Sequence, residues 1–143
     1  MSENIARPPA SQTISRPIGV WVLTIYALLF AGIAPLLLSV FILISGNAPG
    51  NEIGILLSLP VSIGVITSAV GAWRGSERAR KSLLIFVTLH YFLVALNNYL
   101  VITSGQVPDE EGTLLWGRVF RGFTFPVIYL WYFNRDTTKE FYN

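Results

Sequence analysis

The 143-residue chain contains no cysteine, and it has a single histidine, His90, and a single methionine. Without a thiol it forms no disulfide, supplies no thiolate to zinc or to an iron–sulfur cluster, and performs no thiol redox chemistry. Because His90 is the sole imidazole, one copy of the chain cannot ligate a haem through two histidines. These absences exclude several classes of redox protein, but they do not indicate the cellular compartment of the chain.

Charge is also scarce. Only 13% of the residues are charged, whereas soluble domains carry about a quarter. Hydrophobic residues make up 52% of the chain, and the mean hydropathy is +0.56. The net charge of +2 is too small to indicate a nucleic-acid partner. The composition is typical of a protein whose solvent is the lipid bilayer.

Four apolar segments are each long enough to cross a hydrocarbon core, which needs about 20 helical residues. We therefore predict an all-α integral membrane protein with four transmembrane helices in an up-down-up-down bundle, joined by short connections. The predicted spans are residues 18–45, 53–73, 82–103 and 113–133. They form one domain, 17–134, between a polar N-terminal arm, 1–16, and a short charged tail, 135–143.

The basic residues predict the orientation, because Lys and Arg retain loops on the cytoplasmic side. Most of them lie before the first span, between the second and third, and after the fourth: Arg7, Arg16, Arg74, Arg78, Arg80, Lys81, Arg135 and Lys139. The other two connections contain no Lys or Arg and carry Glu52, Asp109, Glu110 and Glu111. Both termini are therefore predicted to be cytoplasmic, and a bacterial inner membrane is the simplest home. Anionic lipid headgroups are the expected partners of Arg74, Arg78, Arg80 and Lys81.

The third span contains three polar side chains that are costly to place in lipid. His90 and Asn97 are seven residues apart and share one helix face, and Asn98 lies about 100° around the axis. This polar wedge is expected to face protein and to fix helix packing through hydrogen bonds. His90 also carries a secondary hypothesis, as the ligand of a haem or the hydrogen-bond partner of a quinone.

The fourth span contains two arginines, Arg118 and Arg121, near its predicted outer end, where the positive-inside rule does not favour them. Three explanations stay open: they pair with the acidic residues at 109–111, they hold lipid phosphate, or they dock on acidic residues of another subunit. Asn97 and Asn98 lie at a similar depth. The candidate lipid-binding or partner-binding site therefore comprises Arg118, Arg121, Asn97, Asn98 and Trp116.

Prolines occur inside three spans, at Pro35, Pro60 and Pro126, where each removes one helical hydrogen bond and is expected to kink the helix. The second span also carries small residues at four-residue spacing, Gly64, Ser68 and Ala72. Such a stripe permits close approach of another helix.

Motifs of catalysis are missing from the sequence. It has no GxxxxGK[ST], GxSxG or HExxH pattern, no metal-ligand spacing and no carboxylate deep inside a span. We therefore expect no enzymatic activity and no cofactor identifiable from sequence, although bound lipid is expected. The leading hypothesis is an accessory subunit of a larger membrane protein complex, such as an electron-transfer or light-harvesting assembly. The alternatives are a stand-alone or homo-oligomeric carrier of a lipid or quinone, and a redox subunit that binds haem or quinone.

Overall fold

A computed structural model of the chain describes residues 17–46, 52–105 and 109–142. The described part is helical: α1 (Ile18–Tyr26), a π-helical segment (Ala27–Ile33), α2 (Ala34–Ser45), α3 (Glu52–Trp73), α4 (Glu77–Thr103), α5 (Asp109–Phe133) and α6 (Asp136–Lys139). Each predicted span lies inside one long helical stretch. The predicted N-terminal arm, 1–16, lies outside the described residues.

The helical stretch Ile18–Ser45, here called the first helix, changes hydrogen-bonding pattern in its middle. The π-helical segment ends two residues before Pro35, which has no N–H to donate and whose ring clashes with a carbonyl one turn earlier in a regular α-helix. A wider turn at this point relieves that clash. The predicted disturbance at Pro35 is therefore a π segment, while Pro60 and Pro126 lie inside continuous helices.

Close contacts define how the helices pack. The first helix lies along α3, where the Ser39 and Ser58 hydroxyls are 2.6 Å apart. Gly64, in the α3 stripe of small residues, faces α4, since a Cβ on Gly64 would lie 2.5 Å from the Phe86 ring. In turn α4 packs against α5, where a Cβ on Gly122 would lie 2.5 Å from the Ala95 Cβ.

The core sits where the first helix, α3, α4 and α5 meet. Its largest fully buried side chains include Tyr129, Phe133 and Leu83. Large apolar side chains also cover the outside of the molecule, and Ile18, Ile44 and Phe120 are each at least 75% exposed. A surface this apolar is compatible with lipid and unfavourable in water.

Three helices are long and apolar enough to cross a membrane: Ile18–Ser45, Leu56–Trp73 and Glu77–Thr103. The chain is thus an all-helical, membrane-embedded protein in its described part. Helix α5 is of similar length, but it carries Arg118 and Arg121 within the helix.

Candidate functional site

The most buried charged side chain among the described residues is Arg80, near the start of α4 and only 4% exposed. Its guanidinium forms a two-point ion pair with Glu77, with Nε 2.5 Å from Oε2 and Nη2 2.7 Å from Oε1. Nη1 donates to the carbonyl of Phe133, the last residue of α5, and lies 3.4 Å from Oδ1 of Asn134. We call Glu77, Arg80, Phe133 and Asn134 the loop clasp, because together they tie the start of α4 to the end of α5.

The chain that follows α5 covers this clasp. The Tyr142 ring lies with its centroid 5.7 Å from Cζ of Arg80. The Phe141 ring packs beside Gly75, whose φ of +83° is a left-handed conformation that favours glycine. The tail was predicted only as a short charged segment. Its described part instead packs on the connection between α3 and α4.

Chemically, the clasp is an internally satisfied ion pair. Glu77 lies in the first turn of α4, before the apolar segment that begins at residue 82, and two hydrogen bonds from the Arg80 guanidinium stabilise its charged form. Ser76 caps this turn by accepting a hydrogen bond from the Ala79 N–H. A Ser-Glu pair followed by Arg three residues later is a sequence signal for this helix start and ion pair. No sequence pattern pointed to the partner on α5.

The loop cations that were predicted to meet anionic lipid occupy different environments. Arg74 and Arg78 are exposed, and the Lys81 side chain is 67% exposed with Nζ 3.3 Å from Oε1 of Glu77. The guanidinium of Arg80 is engaged inside the clasp. Contact with lipid headgroups stays a prediction, and its accessible cations are Arg74, Arg78 and Lys81.

The five residues of the predicted outer site are only partly brought together. Trp116 meets Tyr99 of α4 edge-on, with ring centroids 6.4 Å apart. Asn98 is buried and donates to the Val94 carbonyl of its own helix at 2.6 Å, and Asn97 is exposed. Arg118 and Arg121 are exposed, and within the described residues neither hydrogen-bonds to an asparagine. The side chains at 109–111 lie outside the described part, so the predicted pairing with them stays a prediction.

The one histidine sits in the interior of the molecule. His90 is 8% exposed, and its ring meets that of Tyr91 edge-on with centroids 5.3 Å apart. Within residues 17–46, 52–105 and 109–142, no group of three His, Cys, Asp or Glu side chains is placed to hold a metal ion. A role for His90 with haem or quinone stays a prediction.

A layer of aromatic rings connects the first helix, α4 and α5. The Phe125 ring is parallel to those of Tyr26 and Tyr91, with centroids 5.3 Å and 5.1 Å away. One turn further along α5, the buried Tyr129 hydroxyl donates to the Leu23 carbonyl at 2.8 Å. The tyrosines are therefore structural cross-links in a region where an unsatisfied polar group is costly.

Replacing Tyr129 with phenylalanine should lower the free energy of unfolding by about 1 kcal/mol, since it removes one hydrogen bond and leaves the Leu23 carbonyl buried without that donor. Tyr132→Phe is the matched control, because the Tyr132 hydroxyl makes no hydrogen bond with the described residues. Thermal unfolding of both variants in the same detergent provides the measurement. Equal melting temperatures would contradict the assigned bond.

The side of α5 that points away from the core forms a continuous exposed ridge. Val119, Gly122 and Tyr129 are on the buried side. On the opposite side lie four exposed residues at spacings of four, three and four, which we call the outer ridge: Gly117, Arg121, Thr124 and Ile128. A Cβ on Gly117 would meet nothing within 4 Å. The ridge therefore has two small positions with the Arg121 cation between them.

No family model, curated protein or solved structure matches this chain. No activity, ligand or partner is therefore transferred to it from another protein. What its polar groups can do follows from their own geometry. The loop clasp is satisfied internally, whereas Arg121 on the outer ridge is exposed, and its Nε donates one long hydrogen bond, 3.4 Å, to the Gly117 carbonyl of its own helix.

Proposed function

We propose that the chain is a non-catalytic membrane protein with four transmembrane helices in an up-down-up-down bundle and both termini in the cytoplasm. In this proposal it is an accessory subunit of a larger membrane protein complex. The fourth span is α5, and the outer ridge is its docking surface for a partner helix. The asymmetric distribution of Lys and Arg between the connections supports the orientation.

The position of Arg121 is the observation that carries the proposal. It lies eight residues past position 113, about 12 Å along the helix axis, and it is exposed on the side of α5 opposite the core. An arginine that faces lipid costs about 2.5–3.5 kcal/mol at the middle of a transmembrane helix and less towards the ends, where its side chain reaches the interface; Arg121 lies between these positions. Such a residue normally faces protein or a charged partner.

The rest of the ridge fits a helix. Gly117 and Thr124 lie one turn before and just under one turn after Arg121, and small residues at such positions let two helix backbones approach closely. A helix from another subunit with a carboxylate at this depth would satisfy the guanidinium. The occupant we propose is such a helix.

Increasing the bulk of the ridge should release the partner without unfolding the chain. We expect Thr124→Leu to lower the recovery of co-purifying subunits at least tenfold, while its melting temperature as a purified chain stays within about 2 °C of the wild type. Thr67→Leu is the matched control, since Thr67 is also an exposed threonine that bonds to a carbonyl of its own helix, at 3.0 Å against 2.9 Å for Thr124. Equal recovery of partners with the two variants would overturn the docking surface.

Extraction from the native membrane in mild detergent tests the function itself. The expected result is a particle well above the 15.9 kDa of one chain that contains other subunits. An absorption spectrum of the same sample shows whether those subunits carry pigment or haem. A particle that contains only this chain and lipid would overturn the accessory role and favour the carrier function.

A further inference from the structure

A groove of about 440 Å³ opens on the side of the molecule between the first helix and α3. Its apolar wall comprises Ile25, Leu28, Ala69 and Val70. Val70 is 42% exposed, so the groove opens to the outside of the helix bundle. The groove lies away from the outer ridge, which is on α5.

One polar side chain on the wall lacks a partner. Thr24 is 2% exposed, and its Oγ1 has no hydrogen-bond partner in the described structure. A helical threonine usually donates to a carbonyl of the preceding turn, as Thr67 and Thr124 do. A buried hydroxyl that makes no bond is costly, and Thr24 is one of the residues that line the groove.

The end of the groove is both aromatic and cationic. Trp73 and Arg74 close it, and Trp73 packs against Trp21 of α1 with ring centroids 4.2 Å apart. Tryptophan is enriched at the level of lipid headgroups. Arg74 is exposed, and no carboxylate among the described residues forms an ion pair with it. The charge at this end is complementary to an anionic headgroup.

We propose that the groove binds one anionic phospholipid. The phosphate lies on the Arg74 guanidinium, the glycerol region lies beside the tryptophan pair, and one acyl chain occupies the apolar wall. Val70, which lines the groove together with Thr24, precedes Arg74 by one helical turn, about 6 Å. An ester carbonyl of a phospholipid lies at a comparable distance below its phosphate, and it accepts the hydrogen bond that Thr24 does not make within the chain.

Native mass spectrometry of the delipidated, purified chain, titrated with phosphatidylglycerol and separately with phosphatidylcholine, tests this site. We expect one tightly bound phosphatidylglycerol per chain and at least tenfold weaker binding of phosphatidylcholine, whose headgroup carries no net charge. Equal affinity for the two lipids would overturn the proposal. Preferential retention of a quinone added in competition would overturn it as well.

Variants locate the lipid within the groove. Arg74→Gln should weaken phosphatidylglycerol binding about tenfold, whereas Arg78→Gln, an exposed cation of the same loop, should change it less than twofold. Val70→Trp fills the groove and should abolish the tight site. Equal effects of the two arginine variants, or full binding by Val70→Trp, would overturn the assignment.

Thr24→Val separates a ligand contact from a packing role. The methyl group keeps the side-chain shape, and the hydroxyl it replaces makes no bond within the chain. The variant should therefore melt at or above the wild-type temperature without lipid, yet bind phosphatidylglycerol about three- to tenfold more weakly. Unchanged binding would remove Thr24 from the site.

Discussion

Replacing Arg80 with methionine should lower the free energy of unfolding by about 2–4 kcal/mol, which is the largest effect we expect from the loss of one charge. The change removes both contacts to Glu77 and the hydrogen bond to the Phe133 carbonyl. It leaves a partly buried carboxylate and a helix-end carbonyl without that partner. The Glu77 side chain is 33% exposed, so water recovers part of the loss.

The matched control is Arg78→Met, two residues earlier on the same turn, because Arg78 is exposed and takes no part in the clasp. Arg80→Lys should fall between the two, since an ammonium keeps the charge but cannot supply the planar fork of donors. Thermal unfolding in detergent, followed by circular dichroism, gives the comparison. If the Arg80→Met and Arg78→Met variants have the same melting temperature, the clasp contributes nothing to stability.

Adding one methyl group at Gly122 should also destabilise the chain strongly, by about 1–3 kcal/mol. A Cβ there would lie 2.5 Å from the Ala95 Cβ and 2.8 Å from the Tyr91 backbone oxygen. Both neighbours belong to the α4 backbone or are attached directly to it, so neither can rotate away. The two helices must separate to accept the Gly122→Ala side chain.

Gly117→Ala is the control on the same helix, because its new Cβ would meet nothing within 4 Å. Alanine is the better helix former by about 0.8–1.0 kcal/mol, so this variant of the purified chain should be as stable as the wild type or more stable. The measurement is the free energy of unfolding of both variants in one detergent. Similar values for the two would contradict the packing of α5 on α4.

The positions of the helices were predictable because apolar length is a local property of the sequence. The predicted spans end at residues 45, 73, 103 and 133, which are also the last residues of α2, α3, α4 and α5. Two helices begin four or five residues before their predicted spans, at Glu77 and Asp109, and α3 begins one residue before its span, at Glu52. The first turns of α4 and α5 are polar. A hydropathy profile identifies apolar residues only, so it does not predict that these turns are helical.

The contacts between distant residues were not predictable. Arg80 was interpreted as one of four similar loop cations, yet it is buried against Phe133, 53 residues away. In the sequence, a loop arginine that contacts lipid headgroups cannot be distinguished from one that donates to a buried carbonyl, because both are cations in the same loop. The difference depends on which helices are neighbours, and a single sequence does not contain that information.

The candidate site likewise combines features that the sequence predicts with features that only the structure reveals. The sequence singled out Arg118 and Arg121 because charge is unusual in an apolar helix, and the structure adds that Arg121 lies opposite the buried side of α5. The groove beside Thr24 gave no signal of its own. A threonine in an apolar run is common, and only the packed structure reveals that its hydroxyl lacks a partner.

The π-helical segment Ala27–Ile33 also controls the direction in which half of the first helix faces. In an uninterrupted α-helix, Ser39 would lie about 100° around the axis from Val20, at 19 residues of about 100° each. Both residues are nevertheless buried, and Ser39 meets Ser58 of α3. The segment thus changes the direction in which the side chains of α2 point around the helix axis. A one-residue insertion or deletion in this segment changes the length of the first helix only slightly. Its main effect is to rotate α2 about its axis, which turns Ser39 towards lipid.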